Sequence, residues 1–113
     1  MSKSDEQWLF LKDIAKLIQY ADAIGIKLTG GELYRTKEQQ DIYVQQGKSK
    51  TYKSKHLERL AMDFNFFING QLTYNHPNLE ILGLYWESLS TDNRWGGHFK
   101  NFKDTPHFER NIK

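Results

Sequence analysis

Arg59-Leu60-Ala61-Met62-Asp63-Phe64-Asn65-Phe66-Phe67-Ile68-Asn69-Gly70-Gln71-Leu72-Thr73-Tyr74 is the stretch on which the fold turns. Arg59 to Ile68 reads as a strand rich in aromatic and β-branched side chains. Side chains alternate across a strand, so Asp63, Asn65 and Phe67 share one face and Phe64, Phe66 and Ile68 the other. Asn69-Gly70 is a strong short hairpin signal, and it sends Gln71 to Tyr74 back as the partner strand. An antiparallel hairpin with one apolar face needs helices to cover that face.

Outward from the hairpin, the chain supplies them. Asp5 to Ile24 has helical periodicity, with Trp8, Leu11, Ile14, Ala15, Ile18 and Ala21 as the expected core stripe. Ser4 is the expected N-cap, with Gln7 three residues on, and Gly25 the stop. Ile26 to Tyr34 reads as a strand ending at Arg35. Thr36 caps a helix over Lys37 to Gln46, which stops at Gly47. Lys48 to Lys55 is polar and basic and reads as a loop. Beyond the His76-Pro77 turn, Asn78 is placed to cap a helix over Leu79 to Leu89, with Ile81, Leu82, Tyr85 and Trp86 inward. Ser90 to Asn101 reads as loop with short strand pieces, His107 to Glu109 as a last strand, and Arg110 to Lys113 as a polar tail. Tyr34, Tyr43 and Trp86 are most simply core. The expected fold is α+β, a small single domain spanning residues 1–113, an antiparallel sheet with helices packed on it.

Composition narrows the chemistry. The chain has 113 residues, 14% of them aromatic, which argues against disorder. A net charge of only +2 carries no footprint of nucleic-acid binding and permits mild attraction to anionic surfaces. With no cysteine, disulfides and thiolate metal sites are excluded, so any metal must be held by imidazole and carboxylate. No stretch is long enough to span a bilayer, and Met1 to Gln7 lacks the apolar core of a signal peptide. A monomer made in the cytoplasm, and kept there until released, is the expectation.

Four histidines are present, His56, His76, His98 and His107. His56 precedes the long strand and Asp63 lies within it, so a bend between them lets imidazole and carboxylate face one point. On the spacing alone, two unrelated polar residues are the better reading. In Asp104-Thr105-Pro106-His107-Phe108-Glu109, proline biases Thr105 toward an extended form and entry into a strand. Asp104 either starts that turn or stands as a general base beside a metal. Glu109 alternates with His107 and is either a surface carboxylate or a support for the site. His76 reads as structural, His98 as a rim residue, and Trp95 as either a cleft wall or a packed indole.

The ordered pieces Tyr34-Arg35-Thr36, Gln39 or Gln40, Tyr43, Gly47, Ser54-x-His56, Ala61-x-Asp63, Trp95-Gly96-Gly97 and Asp104-x-x-His107-Phe108-Glu109 together resemble a known family. It comprises the zinc D-alanyl-D-alanine carboxypeptidases and L-alanyl-D-glutamate endopeptidases, phage endolysins and vancomycin-resistance carboxypeptidases among them. The resemblance covers about Ile26 to Glu109. It implies a Hedgehog/D-Ala-D-Ala peptidase-like fold and Zn2+ held by His56, Asp63 and His107. It also implies Asp104 as the base, Arg35 as the group that binds a substrate carboxylate or steadies the oxyanion, and Ser54 as a hydrogen-bonding residue of the pocket. The chain departs from the family at Arg59, where glycine is usual three residues after the first ligand. An aspartate base is typical of the endopeptidase branch.

The expected function is therefore zinc-dependent hydrolysis of peptide bonds in peptidoglycan stem peptides, with those peptides as partner and no nucleic acid. D-alanyl-D-alanine carboxypeptidase activity is the runner-up, and a non-catalytic wall-binding module on the same fold is the rival class.

Overall fold

The computed structural model describes residues 1–112. The first helix, α1 (Lys3–Ala23), begins earlier than the sequence suggests. Its N-cap is Ser2 and not Ser4. The Ser2 hydroxyl accepts from the Asp5 backbone N–H, and the Asp5 carboxylate accepts in return from the Ser2 N–H. Strand β1 (Ile26–Gly30) follows. It is shorter than the expected Ile26 to Tyr34, although Gly31 and Glu32 still exchange backbone hydrogen bonds with Asp63. Helix α2 (Lys37–Gln45) is capped by the Thr36 hydroxyl, as expected.

A 3-10 turn, Lys55–Glu58, leads into β2 (Ala61–Ile68). Arg59 belongs to neither. Its φ of 57° is left-handed, which breaks the strand the sequence had running through it. Asn69 and Gly70 both have positive φ, the geometry of the tight hairpin turn their types foretell, and β3 (Gln71–Thr73) returns along β2. Helix α3 (Leu79–Leu89), β4 (Asn93–Trp95), a second 3-10 turn (Gly96–His98) and β5 (His107–Arg110) complete the described chain. Asn78 makes no side-chain cap. The first N–H groups of α3 instead bond back to the carbonyls of His76, Pro77 and Asn78.

Among the described residues the sheet has five strands, all paired antiparallel. The long strand β2 organises it. Residues 64–68 pair with β1, 66–68 with β3, and 61–63 with β5, which pairs in turn with β4. The register sets Asp63 opposite His107. Phe64 and Phe66 point into the core with Phe108, while Asp63 and Asn65 point away, so the expected alternation holds.

The core lies between the sheet and the helices α1 and α3. Phe10, Leu17, Leu82, Trp86, Phe66 and Phe108 are fully buried, each contributing about 1.5–3 kcal/mol of transfer free energy. The buried stripe of α1 keeps Ile14 and Ala21 of the expected one and replaces the rest. Phe10, Asp13, Ile14, Leu17 and Ala21 face inward, while Trp8, Leu11, Ala15 and Ile18 are exposed. Both stripes are apolar. The inward one also carries Glu6 to Arg110 and Asp13 to Asn93, so its polar members find partners. In α3, Leu79, Leu82, Gly83 and Trp86 are buried, and Ile81 is not. Tyr85 is half-buried and stacks on Tyr20. Arg110 is a buried member of β5, not part of a polar tail; Lys113, the last residue of that expected tail, lies outside the described residues. No helix is long and apolar enough to cross a membrane among the described residues.

Candidate metal centre

His56 sits in the 3-10 turn that Ser54 caps; the Ser54 hydroxyl accepts from the His56 N–H at 3.2 Å. The ring is buried, and its Nδ1 lies 2.9 Å from the carbonyl of Leu33. That carbonyl can only accept, so Nδ1 carries the proton and Nε2 presents a lone pair. His107 opens β5, and its Nε2 lies 2.7 Å from the Glu109 carboxylate, also buried. Here the proton belongs on Nε2, and Nδ1 is free to ligate.

The two lone pairs and the Asp63 carboxylate converge. Asp63 Oδ1 is 3.3 Å from His56 Nε2 and 3.4 Å from His107 Nδ1, and one donor atom from each residue lies within 4.8 Å of the others. His56 Nε2 and Asp63 Oδ1 are buried and make no hydrogen bond among the described residues. Orphaned buried polar atoms are rare because each costs about 1–3 kcal/mol. A divalent cation removes that cost. Donors about 2.1 Å from a tetrahedral centre sit about 3.4 Å apart, close to the separation of Asp63 Oδ1 from each histidine nitrogen. The site fits a metal on both counts.

Charge supports the same reading. Burial alone would raise the Asp63 carboxyl, but the neighbouring His107 and His56 rings outweigh it and hold Asp63 well below the usual carboxylate range. Burial works to lower His107, yet its contacts with Asp63 and Glu109 hold the metal-free imidazole up at about 9. Burial pushes the Asp104 carboxyl up. Asp104 Oδ2 is 4.0 Å from His107 Nδ1, and its half-open side chain faces the cleft without joining the three ligands.

The turn carrying Asp104 is pinned from several sides. Its N–H donates to the Gly96 carbonyl at 2.9 Å, and the His107 N–H donates to the Asp104 carbonyl at 3.0 Å. A Cβ on Gly96 would stand 2.1 Å from that carbonyl oxygen, so only glycine admits the turn. Trp95 is a packed indole, buried, with its N–H donating to the Thr105 carbonyl at 2.8 Å. Thr105 in turn donates to the Tyr74 carbonyl.

Arg35 is gripped. Its Nε donates to Glu32 at 2.7 Å, its Nη1 donates to the fully buried Gln40 at 2.7 Å, and its plane lies over the Tyr43 ring. Nη2 is also paired with Glu32 and lies 3.9 Å from Asp63 Oδ2, so the guanidinium edge points at the centre. Tyr43 is half-buried at the site, its hydroxyl donating to Glu32, and not simply core. Tyr34 is exposed, with the Arg59 guanidinium 4.0 Å above its ring. His98 lies on the cleft rim, bonded to Glu80 and Glu87. His76 is structural, its Nδ1 accepting from the Asn78 N–H.

The structure thus brings together His56, Asp63, His107, Asp104, Arg35 and Ser54 around one cleft. Glu32 was missed by sequence reasoning. Its only signal was an opposite charge three residues before Arg35, which many loops carry. The Leu33 carbonyl left no signal at all, because a backbone acceptor has no residue type.

Residues 47–110 match the family described as D-alanyl-D-alanine carboxypeptidase. The L-alanyl-D-glutamate peptidase of Listeria phage A118 is 33% identical over 102 residues, which is 87% of this chain. The chain spans 35% of that relative's length. The crystal structure of the Serratia marcescens L-Ala D-Glu endopeptidase ChiX superposes with a TM-score of 0.69 at 24% identity, covering 88% of this chain and 78% of that one. At that identity the likeness speaks for the fold. The match over more than half of the residues speaks for the family: the chain belongs to the D-alanyl-D-alanine carboxypeptidase family of peptidases.

Proposed function

We propose that the chain hydrolyses peptide bonds in peptidoglycan stem peptides, as an L-alanyl-D-glutamate endopeptidase, at a zinc centre held by His56, Asp63 and His107. One observation carries this: two buried, unpartnered donor atoms converge with a third beside an unengaged carboxylate. Two neutral imidazoles and one carboxylate are a donor set typical of catalytic zinc. The zinc, when bound, supplies Lewis acidity that polarises a carbonyl and makes water acidic near neutral pH.

The chain's own groups do the rest. Leu33 and Glu109 fix which nitrogen of each histidine carries its proton, so both rings hold still at the centre. Asp104, its carboxyl raised by burial, takes the proton from the attacking water and returns it to the leaving amine. Arg35, immobilised by Glu32 and Gln40, offers positive charge to the oxyanion or to a substrate carboxylate without reorganising. Ser54 holds the turn that presents His56 and lines the cleft.

The phage relative's name favours the endopeptidase, whereas the matching family's description favours the carboxypeptidase. Mass analysis of purified peptidoglycan treated with the zinc-loaded protein separates them. New D-glutamyl amino termini establish the first activity, and loss of terminal D-alanine the second. Intact stems after treatment, with zinc bound, refute both. A chelator is expected to abolish the cleavage and added zinc to restore it.

A further inference from the structure

The chain's net charge is +2, yet seven of its sixteen Lys and Arg residues line one cleft. Lys48, Lys50 and Lys53 line one wall of the cleft, and Arg94 and Lys100 line the wall that carries Asp104. All five are exposed. We propose that these walls select the substrate by charge, favouring stem peptides whose carboxylates are free over the same peptides with those carboxylates amidated. The inference rests on the peptidase reading above and adds the substrate's charge state to it.

Three observations carry it. First, the four lysines make no ion pair among the described residues. Second, the acids that share the cleft are mostly spent: Glu32 on Arg35, Asp63 between the two histidines, and Glu109 on His107 and, at 3.9 Å, on Arg94. The four lysines therefore keep an uncompensated positive charge on the walls. Third, several of these cations are laid against aromatic rings. Lys48 lies over Tyr43, Arg94 over Phe99, and Lys50 over Phe102 on the loop facing it across the cleft. Such stacking supports the stems and aims the heads without neutralising them.

The cleft measures about 1210 Å³, above the range a single small ligand needs, and suits a peptide of several residues. Low-dielectric walls of one sign focus the field on whatever enters. The charges flank the candidate centre inside a cleft and do not form a stripe along an outer face. That arrangement fits a short acidic peptide better than a long anionic polymer. Amidation removes the charge of a carboxylate and leaves its shape nearly unchanged, so the two peptides differ in the property these walls would read.

The test measures binding of a synthetic stem peptide and its amidated twin, by calorimetry, to zinc-loaded protein carrying Asp104→Asn to prevent turnover. The free-carboxylate peptide is expected to bind about tenfold more tightly at about 50 mM salt, with the gap closing at about 500 mM. Combined Lys50→Gln, Lys53→Gln and Lys100→Gln substitution is expected to remove the gap and leave zinc binding and circular dichroism unchanged. Equal affinity for the two peptides, or a gap that survives the triple substitution, overturns the proposal. Wall cleavage by the zinc-loaded wild type is measured alongside. Cleavage without a gap overturns charge selection alone, and a gap without cleavage overturns the peptidase reading alone.

Discussion

His56 leans on a neutral carbonyl and His107 on a carboxylate, so the two rings are aimed with unequal strength. A carboxylate partner raises the basicity of its histidine and holds the ring more firmly than a carbonyl does. Glu109→Ala is therefore expected to weaken zinc binding about 10- to 100-fold, measured by competition with a chelator of known affinity. Glu109→Gln, which keeps an acceptor, should lose less; equal losses would mean that the charge contributes nothing. The Asp104 carboxylate touches none of the proposed ligands at hydrogen-bonding distance, so its task is separable from theirs. Asp104→Asn should lower the rate of stem-peptide hydrolysis about 100-fold or more while zinc affinity stays near that of the wild type. A parallel fall in affinity would make Asp104 a ligand and not a base.

The turn between the first two ligands shows how one element sets two of them. Leu60 donates its N–H back to Lys55, and Arg59 takes up a left-handed conformation so that β2 can start at Ala61 and put Asp63 opposite His107. The family's usual glycine at this position would adopt that backbone without a steric cost. Arginine accepts a cost and recovers part of it by stacking on Tyr34. A β-branched residue suits positive φ least, so Arg59→Val should be less stable than Arg59→Gly by about 1–2 kcal/mol in urea denaturation. Equal stabilities would show that the turn relaxes. Helix α3 is held to the second 3-10 turn by His98, whose ring bonds Glu80 on one side and Glu87 on the other. The bond to Glu80 is the largest cause of the raised His98 pKa; burial opposes it, and the bond to Glu87 adds to it. A histidine raised on folding stabilises fully below its unfolded pKa of about 6.5 and loses that contribution as pH rises through the folded value. The melting temperature of His98→Gln should accordingly fall furthest below wild type at pH values under about 6.5 and converge on it as the pH rises through the folded value. A constant difference across that range would assign the loss to packing.

At the scale of the molecule, the ends of the chain meet through Glu6 of α1 and Arg110 of β5, joined at 2.7 Å and both buried. Asp92 and the Ser90 hydroxyl complete the arginine's shell. The pair ties the first helix to the strand that carries His107. Removing one partner strands a buried charge, so Glu6→Ala should cost about 3 kcal/mol of unfolding free energy, read from denaturant titration. A loss below about 1 kcal/mol would mean that water or Asp92 takes over. The same pair explains why α1 turns Phe10 and Leu17 inward and not Trp8 and Leu11. Two apolar stripes compete on one helix, and the one whose polar neighbours find partners wins.

Local chemistry was legible in advance. The alternation of Phe64 and Phe66 against Asp63 and Asn65, the Asn69-Gly70 turn, and the Thr36 cap follow from rules that act over a few residues, and the sequence alone determined them. The candidate site was legible as an ordered set of residue types, because imidazole, carboxylate and guanidinium chemistry is written in the side chains themselves. The tertiary structure alone decided which face of α1 is buried, where β2 begins, that Glu32 and Gln40 hold Arg35, and that Leu33 and Glu109 orient the two histidines. Each of these depends on a partner distant in the chain or on a backbone atom with no residue type, and neither leaves a local pattern to read.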